Sequence, residues 1–564
     1  MPHGGGADPP GIAPAGDPGG TAMAATRQTA SLFSDIVRAS RARRTIKMAD
    51  STGAEVTGPD LLLRTLVARR YLRRAVLGRD ERFVGVLLPP SVGAAVANLA
   101  LVFDRRVPVN LNYTLSAEML NDCIRKAGIR RVLTSRRFME RIDVEIDAEL
   151  VFLEDLAANL SKSDKVLGAL ESKLPEGVLL RALGLDRVDA DELVQLVFTS
   201  GTTGTPKGVM LTFGNIEANL AQVDHVVHWT PEDVVIGVLP FFHSFGSTVT
   251  LWAMATRDIR VVYHTNPLEA QVVGRLTREH GGTILPATPM FLRTYLRRCD
   301  PADFASVELV PVGAEKLPPA LGEEFAARFD VDVFEGYGAT EMAPLVAANV
   351  PMSRSQGRSG EWNRAGTIGR PAPGIRTRVV DPETGADLPP GETGMLLLTG
   401  PNLMRGYLDD PAATAKVIRD GWYVTGDLAM VDADGFIHLK DRLSRFAKVA
   451  GEMVPFAAIE DALMGILGCD DIGMPRAVVT AIPDEARGER IVVVHTPIEV
   501  APDDLREKLS AAGLPNLFIP SKDAFVEVEA LPLVGVGKLD LKGIKQVALD
   551  AAGRRSLTTA GGRR

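Results

Sequence analysis

Residues 199–208 read TSGTTGTPKG: five hydroxyls, three glycines and one lysine set between two apolar runs. Glycines let backbone N–H groups approach an anion closely, the hydroxyls add donors, and Lys207 adds a point charge. A loop built this way holds a polyphosphate. It is not the common P-loop, in which Gly-Lys-Ser/Thr opens a helix. Here Pro206 precedes the lysine and the strand-like GVMLT follows it. The next helix is predicted to begin near Asn215, with Ile216, Leu220 and Val223 on one face. Taken alone, the loop is equally well a Gly/Thr-rich surface turn. His225 and His228 lack the four-residue helical spacing of familiar zinc ligands. Cys123, Cys299 and Cys469 are far apart, with neither metal-like pairing nor a disulfide framework.

Such a loop needs a rigid frame, and the flanking sequence supplies one. Residues 82–135 alternate strand (RFVGVLLP), helix (SVGAAVANLALVF, capped by Ser91), strand (RVPVNLN), helix (SAEMLNDCIRKAG, from Ser116 to Gly128) and strand (IRRVLTS). Alternation of this kind predicts a doubly wound α/β sheet, and it resumes at 233–264 and 283–334. Around 390–440 the texture changes to short strands between Gly and Asp turns. From about residue 445, helix, strand, strand, helix and strand predict a separate α+β domain of ordinary size. A chain of 564 residues accommodates both. Its formal charge of −8 gives no pull toward nucleic acid. No apolar run reaches bilayer-spanning length, and the start lacks the pattern of a secretory signal. A cytoplasmic location fits, with peripheral membrane contact and oligomeric state left open. Twelve of the first 20 residues are Gly or Pro, so 1–29 is expected to be disordered. Residues 553–564 are expected to be a loose tail.

The 199–208 loop resembles the signature loop of the adenylate-forming (AMP-binding) superfamily, which includes acyl-CoA synthetases, luciferases and peptide-synthetase adenylation domains. Four further stretches resemble that family's motifs in the same order: FEGYGATE (334–341), GWYVTGD (421–427), DRLSRFAKVAGEMVP (441–455) and LPLVGVGKLD (531–540). The wording of GEMVP, RVPVNLNY, AEKLPPAL and PLVGVGK is most similar to the synthetase half of bacterial acyl-carrier-protein synthetase/lysophospholipid acyltransferase proteins. The resemblance implies a large domain over 30–442, with doubly wound sheets and a small β-barrel-like part. It also implies a smaller mobile α+β domain over 443–552.

The resemblance further implies roles. Thr199, Ser200, Gly201, Thr202, Thr203, Gly204 and Lys207 would cradle the ATP phosphates. Gly313, Ala314, Glu315 and Gly336 would border the nucleotide, and Tyr337 would stack on adenine. Thr340 would bond the α-phosphate and Glu341 would hold Mg²⁺, a hard cation that chooses carboxylate oxygen. Asp427 would accept from the ribose hydroxyls, with Arg442 at the same sugar. Lys538 would enter the site for the first half-reaction. The hinge would turn at Ser444, where the family usually carries Asp or Lys. Gly451 would let a pantetheine arm pass close to the backbone.

In PFFHSFG (240–246), His243 stands where amino-acid-activating domains place an aspartate. That argues for a simple carboxylic acid, with His243 lining an acyl channel walled by phenylalanines and SVELVPVG. A medium- or long-chain fatty acid is the expected substrate. The acceptor is coenzyme A or the phosphopantetheine of acyl carrier protein. Arg445, Lys448 and Arg487 would form a docking surface for the latter or a plain solvated face. Two other readings stay open: a ligase that loads a polyketide carrier protein, and a catalytically silent lipid-binding homologue. The polar stretch 353–364 is expected to be a solvated loop.

Overall fold

Apolar runs bounded by caps build the first sheet. Phe83–Val86, Val107–Asn110, Arg131–Thr134 and Glu149–Phe152 run parallel, with Phe83–Val86 between Val107–Asn110 and Arg131–Thr134. The helix Val92–Phe103 starts where the Ser91 side chain accepts from the Ala94 N–H. Ser116 does the same for Ala117–Lys126 through the Met119 N–H. Gly128, at φ +59°, ends the latter in the left-handed conformation that costs glycine least. The computed structural model describes residues 31–561 apart from 143, 200–205, 355–361, 451, 471–472, 485–486 and 535–537. The expected tail over 1–29 and most of the 353–364 loop therefore lie outside the described residues.

A second sheet orders Glu55–Thr57, Ile46–Asp50, Arg260–Tyr263 and Val234–Gly237. It continues through parallel bridges at Ile284 and Ala287 into Leu309–Val312, Asp332–Gly338, Leu345–Ala348 and Arg370–Pro371. From Ile46–Asp50 to Asp332–Gly338 it is parallel, so the loops leaving its strands share one rim. Leu193–Thr199 pairs antiparallel with Lys207–Thr212, with Gly406–Tyr407 on the latter's far edge. The helix Phe213–Val227 begins two residues before the predicted Asn215. Thr212 and Asn215 bond each other's backbone N–H groups reciprocally and fix the start there. Ile216, Leu220 and Val223 are buried, as their spacing predicts. Trp252, fully buried, donates its indole N–H to Gln195 Oε1 at 2.8 Å and ties its helix to Leu193–Thr199.

The barrel-like part is antiparallel: Arg376–Val380, Thr393–Thr399 and Trp422–Val431 in order, with Ile418–Arg419 and Ile437–Arg442 both on the far edge of Trp422–Val431. In the small domain Phe446–Val449, Glu452–Pro455, Ala477–Asp484, Gly488–His495 and Phe525–Glu527 form one sheet. Ile459, Leu463, Val493, Leu505 and Leu509 belong to its separate core. The α/β class and the large-plus-small arrangement are as expected; two local details differ. The stretch read as a hinge motif includes a hairpin, Phe446–Val449 with Glu452–Pro455. The final helix, Leu541–Gly561, runs on where a loose tail from 553 was expected. Ile544 and Ala548 anchor it in a core with Val478 and Val492, and propagation from an anchored turn gains a hydrogen bond per residue.

Candidate active site

The carboxyl ends of parallel strands are where an α/β sheet leaves backbone groups and loops free for a ligand. At that rim a cavity of about 510 Å³ gathers the large-domain candidates: Thr199, Lys207, His243, Gly313, Ala314, Glu315, Gly336, Tyr337, Thr340, Glu341, Asp427 and Arg442 all line it. Gly313–Glu315 follow the strand Leu309–Val312, and Gly336 and Tyr337 end Asp332–Gly338. Ala314 holds φ +71°, a left-handed turn that a non-glycine residue rarely adopts.

Asp427 is the most buried charge of the group, at 5 % exposure. Antiparallel register puts it opposite Arg442, whose Nε lies 3.2 Å from one carboxylate oxygen. The Tyr337 hydroxyl donates to the other oxygen. Burial pushes the Asp427 pKa up, and Arg442 and the Tyr337 hydrogen bond pull against it. The same burial, and then the Asp427 charge, hold the Tyr337 phenol well above its ordinary pKa, so it stays a donor. Both groups are thus oriented around one polar end of the cavity.

Glu341 sits on the turn Thr340–Met342. Its Oε1 accepts from the Tyr407 hydroxyl at 2.7 Å. The Lys207 ammonium lies 5.0 Å from the centre of the Tyr407 ring, a cation–π distance. Thr340 Oγ1 is 3.1 Å from Ser244 Oγ. Among the described residues no cluster of three or more His, Cys, Asp and Glu is placed to hold a metal ion. One carboxylate suits Mg²⁺, which binds protein through one or two carboxylates and takes its other ligands from phosphate and water. Glu341, on the cavity wall, therefore fits the ion that the resemblance implies.

The cavity lining also includes apolar side chains, among them Val223, Val226, Val227, Trp229 and Met290. Phe242, Phe245, Leu309 and Val312 also line it. His243 caps the short helix Ser244–Gly246. Its Nδ1 accepts from the Phe245 N–H at 3.3 Å.

Ser200, Gly201, Thr202, Thr203, Gly204 and Gly451 lie outside the described residues. Lys538 stands on the strand Lys538–Leu539, in register with Val534. One turn on, Lys542 has its pKa lowered by burial, with Asp540 opposing and the charge of Lys207 adding to the shift. The Leu443–Arg445 turn, which holds the expected hinge residue Ser444, joins the domains. Arg445 corrects one expectation: it bonds Glu460, reaches to within 3.4 Å of Asp441 and is turned inward, so it is no free docking cation. Tyr407, Ser244 and Trp229 were not singled out from sequence. Tyr407 lies on a two-residue strand that reaches the site only through pairing with Val209.

The family model for AMP-binding enzymes matches residues 37–408. A long-chain-fatty-acid–CoA ligase of Bacillus subtilis (strain 168) is 26% identical over 523 residues, covering 86% of this chain and 89% of that protein. 4-Coumarate–CoA ligase 4 of Arabidopsis thaliana is 29% identical over 426 residues, covering 73% and 72%. Among solved structures, ATP-bound MatB from Rhodopseudomonas palustris shares the fold with a TM-score of 0.75 at 24% identity, over 92% of this chain and 98% of that one.

Proposed function

The chain belongs to the AMP-binding enzyme family, and from that premise we propose that it activates a medium- or long-chain fatty acid with ATP and passes the acyl group to a pantetheine thiol. The reaction class, an adenylate-forming acid–thiol ligase, is that of its relatives. The observation that supports the finer reading is one cavity lined by two chemistries: Asp427, Arg442 and Glu341 together with Val226, Val227 and Trp229.

In the first step a carboxylate oxygen of the acid attacks the α-phosphorus of ATP and pyrophosphate leaves. Two anions must meet, so positioning and charge stabilisation carry most of the barrier. Asp427 and Arg442 hold the ribose, and Tyr337 bounds the adenine. Lys207 and the loop hydroxyls meet the outer phosphates, and Thr340 meets the α-phosphate. Mg²⁺ bound at Glu341 supplies charge neutralisation on the phosphate oxygens. His243 stands at the junction where the acid's head group meets the nucleotide. Lys538, brought in by the small domain, offsets the charge that develops on the departing pyrophosphate. In the second step the small domain turns about Ser444, Lys538 leaves, and the face around Gly451 guides a pantetheine arm. The thiol sulfur then bonds the acyl carbon and AMP departs with the carboxyl oxygen.

Isotopic pyrophosphate exchange into ATP, driven by a panel of acids, tests this reading. Exchange with saturated acids of medium or long chain, and none with amino acids, is expected. Exchange with 4-coumarate alone would move the substrate to the aryl acids named by one set of relatives. No exchange with any acid would favour the silent lipid-binding protein. Adding coenzyme A or acyl carrier protein in separate arms, and following AMP release, identifies the acceptor.

A further inference from the structure

The segment 162–183 packs the wrong way round for its composition. In the helix Lys162–Lys173 the side toward the protein carries Asp164, Gly168 and Glu171, while Val166 and Leu170 face solvent. Neighbouring arginines explain the inversion. Arg74 Nη2 bonds Asp164 Oδ2 at 2.7 Å, and Arg70 bonds Glu171. Gly168 lies so close to Val67 that a Cβ there would fall 2.5 Å from Val67 Cγ2, so no larger side chain fits this face. The next helix, Glu176–Leu183, buries Leu179 and Leu180 and presents Val178. Its Glu176 is held by two bonds of 2.8 Å from Arg38.

What remains outward is apolar and cationic. Val166, Leu167, Leu170 and Val178 are 58%, 41%, 59% and 46% exposed, and they are four of the seven large apolar side chains exposed among the described residues. Lys162, Lys165, Lys173 and Arg181 are exposed on the same two helices, and none forms an ion pair among the described residues. The carboxylates that would neutralise them are held by arginines of other helices. On a chain of net charge −8 this is a local reversal of sign.

We propose that this face rests on an anionic membrane surface, its apolar side chains entering the boundary between headgroups and acyl chains and its cations meeting lipid phosphate. That is the division of labour of an interfacial helix, and basic side chains add to its hold on anionic lipid. A protein partner fits less well. Protein interfaces are enriched in aromatic residues and depleted in Lys, whereas this face has three lysines and no aromatic residue. A second copy docked on a two-fold axis would set the same cations against each other. No helix among the described residues is long and apolar enough to cross a membrane.

The test is flotation of the full chain with phosphatidylglycerol vesicles and, separately, phosphatidylcholine vesicles. Binding to the first and much less to the second is expected, weakening with salt. The pair Val166→Ser with Leu170→Ser, and the pair Lys162→Glu with Lys165→Glu, should each lower the partition coefficient about tenfold or more. The apolar pair removes little buried packing. The lysine pair, wholly on the surface, keeps the test open if the first fails to fold. Acid-driven exchange and the thermal midpoint should stay at wild-type values, since none of these residues lines the cavity. Equal binding to both lipids, or wild-type binding by both variants, would overturn the proposal. So would a concentration-dependent dimer lost in the Val166/Leu170 variant with no vesicle binding, which would assign the face to a second copy.

Discussion

Replacing Asp427 by Asn tests the nucleotide end of the site with little steric change. The amide keeps the volume and one carbonyl oxygen for the Tyr337 hydroxyl, but it removes the charge and one acceptor. Asp427 is 5 % exposed, so solvent screens it little; Arg442, 58% exposed, loses a partner but stays hydrated. A hydrogen bond to a charged group is worth about 1.5–3 kcal/mol, which corresponds to roughly 10- to 150-fold in rate. kcat/KM for ATP in acid-driven pyrophosphate exchange should fall by about that factor. Loss alone would not distinguish ribose contact from general damage. ATP, 2′-deoxy-ATP and 3′-deoxy-ATP should therefore be compared in both proteins. The wild type should discriminate against each deoxy analogue, and Asp427→Asn should lose most of that discrimination, because the acceptor that reads the hydroxyls is gone. If the variant slows all three nucleotides by the same factor, Asp427 does not hold the ribose and the assignment fails.

Lys538→Ala should lower acid-driven exchange by at least about a hundredfold, the scale of one preorganised charge-stabilising donor. It should spare thiolysis of preformed acyl-adenylate, and equal loss in both half-reactions would contradict its role. Tyr407→Phe removes the donor 2.7 Å from Glu341 Oε1. By the usual effect of a group that orients a metal ligand, it should raise the Mg²⁺ needed for half-maximal exchange about 10- to 100-fold; an unchanged Mg²⁺ titration would rule the contact out as a metal support. Because burial raises the Asp427 pKa above its ordinary 3.8, exchange at subsaturating ATP should fall with an acid limb above that value, and the limb should vanish in Asp427→Asn. The stability term has the opposite sign. A raised folded-state pKa contributes stability that is present below 3.8 and lost as pH rises through the folded value, so Asp427→Asn should lose less stability than wild type over that rise in urea titrations.

Local chemistry was legible in the sequence, and long-range pairing was not. Ser91, Ser116 and Gly128 announce helix ends because capping and left-handed turns depend on a single residue. Asp427, Tyr337 and Glu341 were visible because each lies in a compact motif. The hydrogen bond between Tyr337 and Asp427 was not, since it joins a strand of the second sheet to one of the barrel-like part. Tyr407 was hidden for the same reason. The helix Lys162–Lys173 shows the limit of hydrophobic patterning: Val166 and Leu170 would be read inward, yet Arg70 and Arg74 draw the carboxylate side in instead. The start of Phe213–Val227 was misplaced by two residues because the Thr212–Asn215 reciprocal cap outweighs the apolar spacing that begins at Ile216.

The central claim is that one cavity takes the nucleotide at Asp427 and the acid toward Trp229. A crystal structure with a dodecanoyl-adenosine sulfamate, a stable mimic of the acyl-adenylate, tests it most directly. The account requires ribose hydroxyls within hydrogen-bond distance of Asp427, the sulfamate beside Thr340, and the acyl chain passing His243 into the wall formed by Val226, Val227 and Trp229. A ligand bound elsewhere, or an acyl chain that leaves the polar end for solvent, would contradict it.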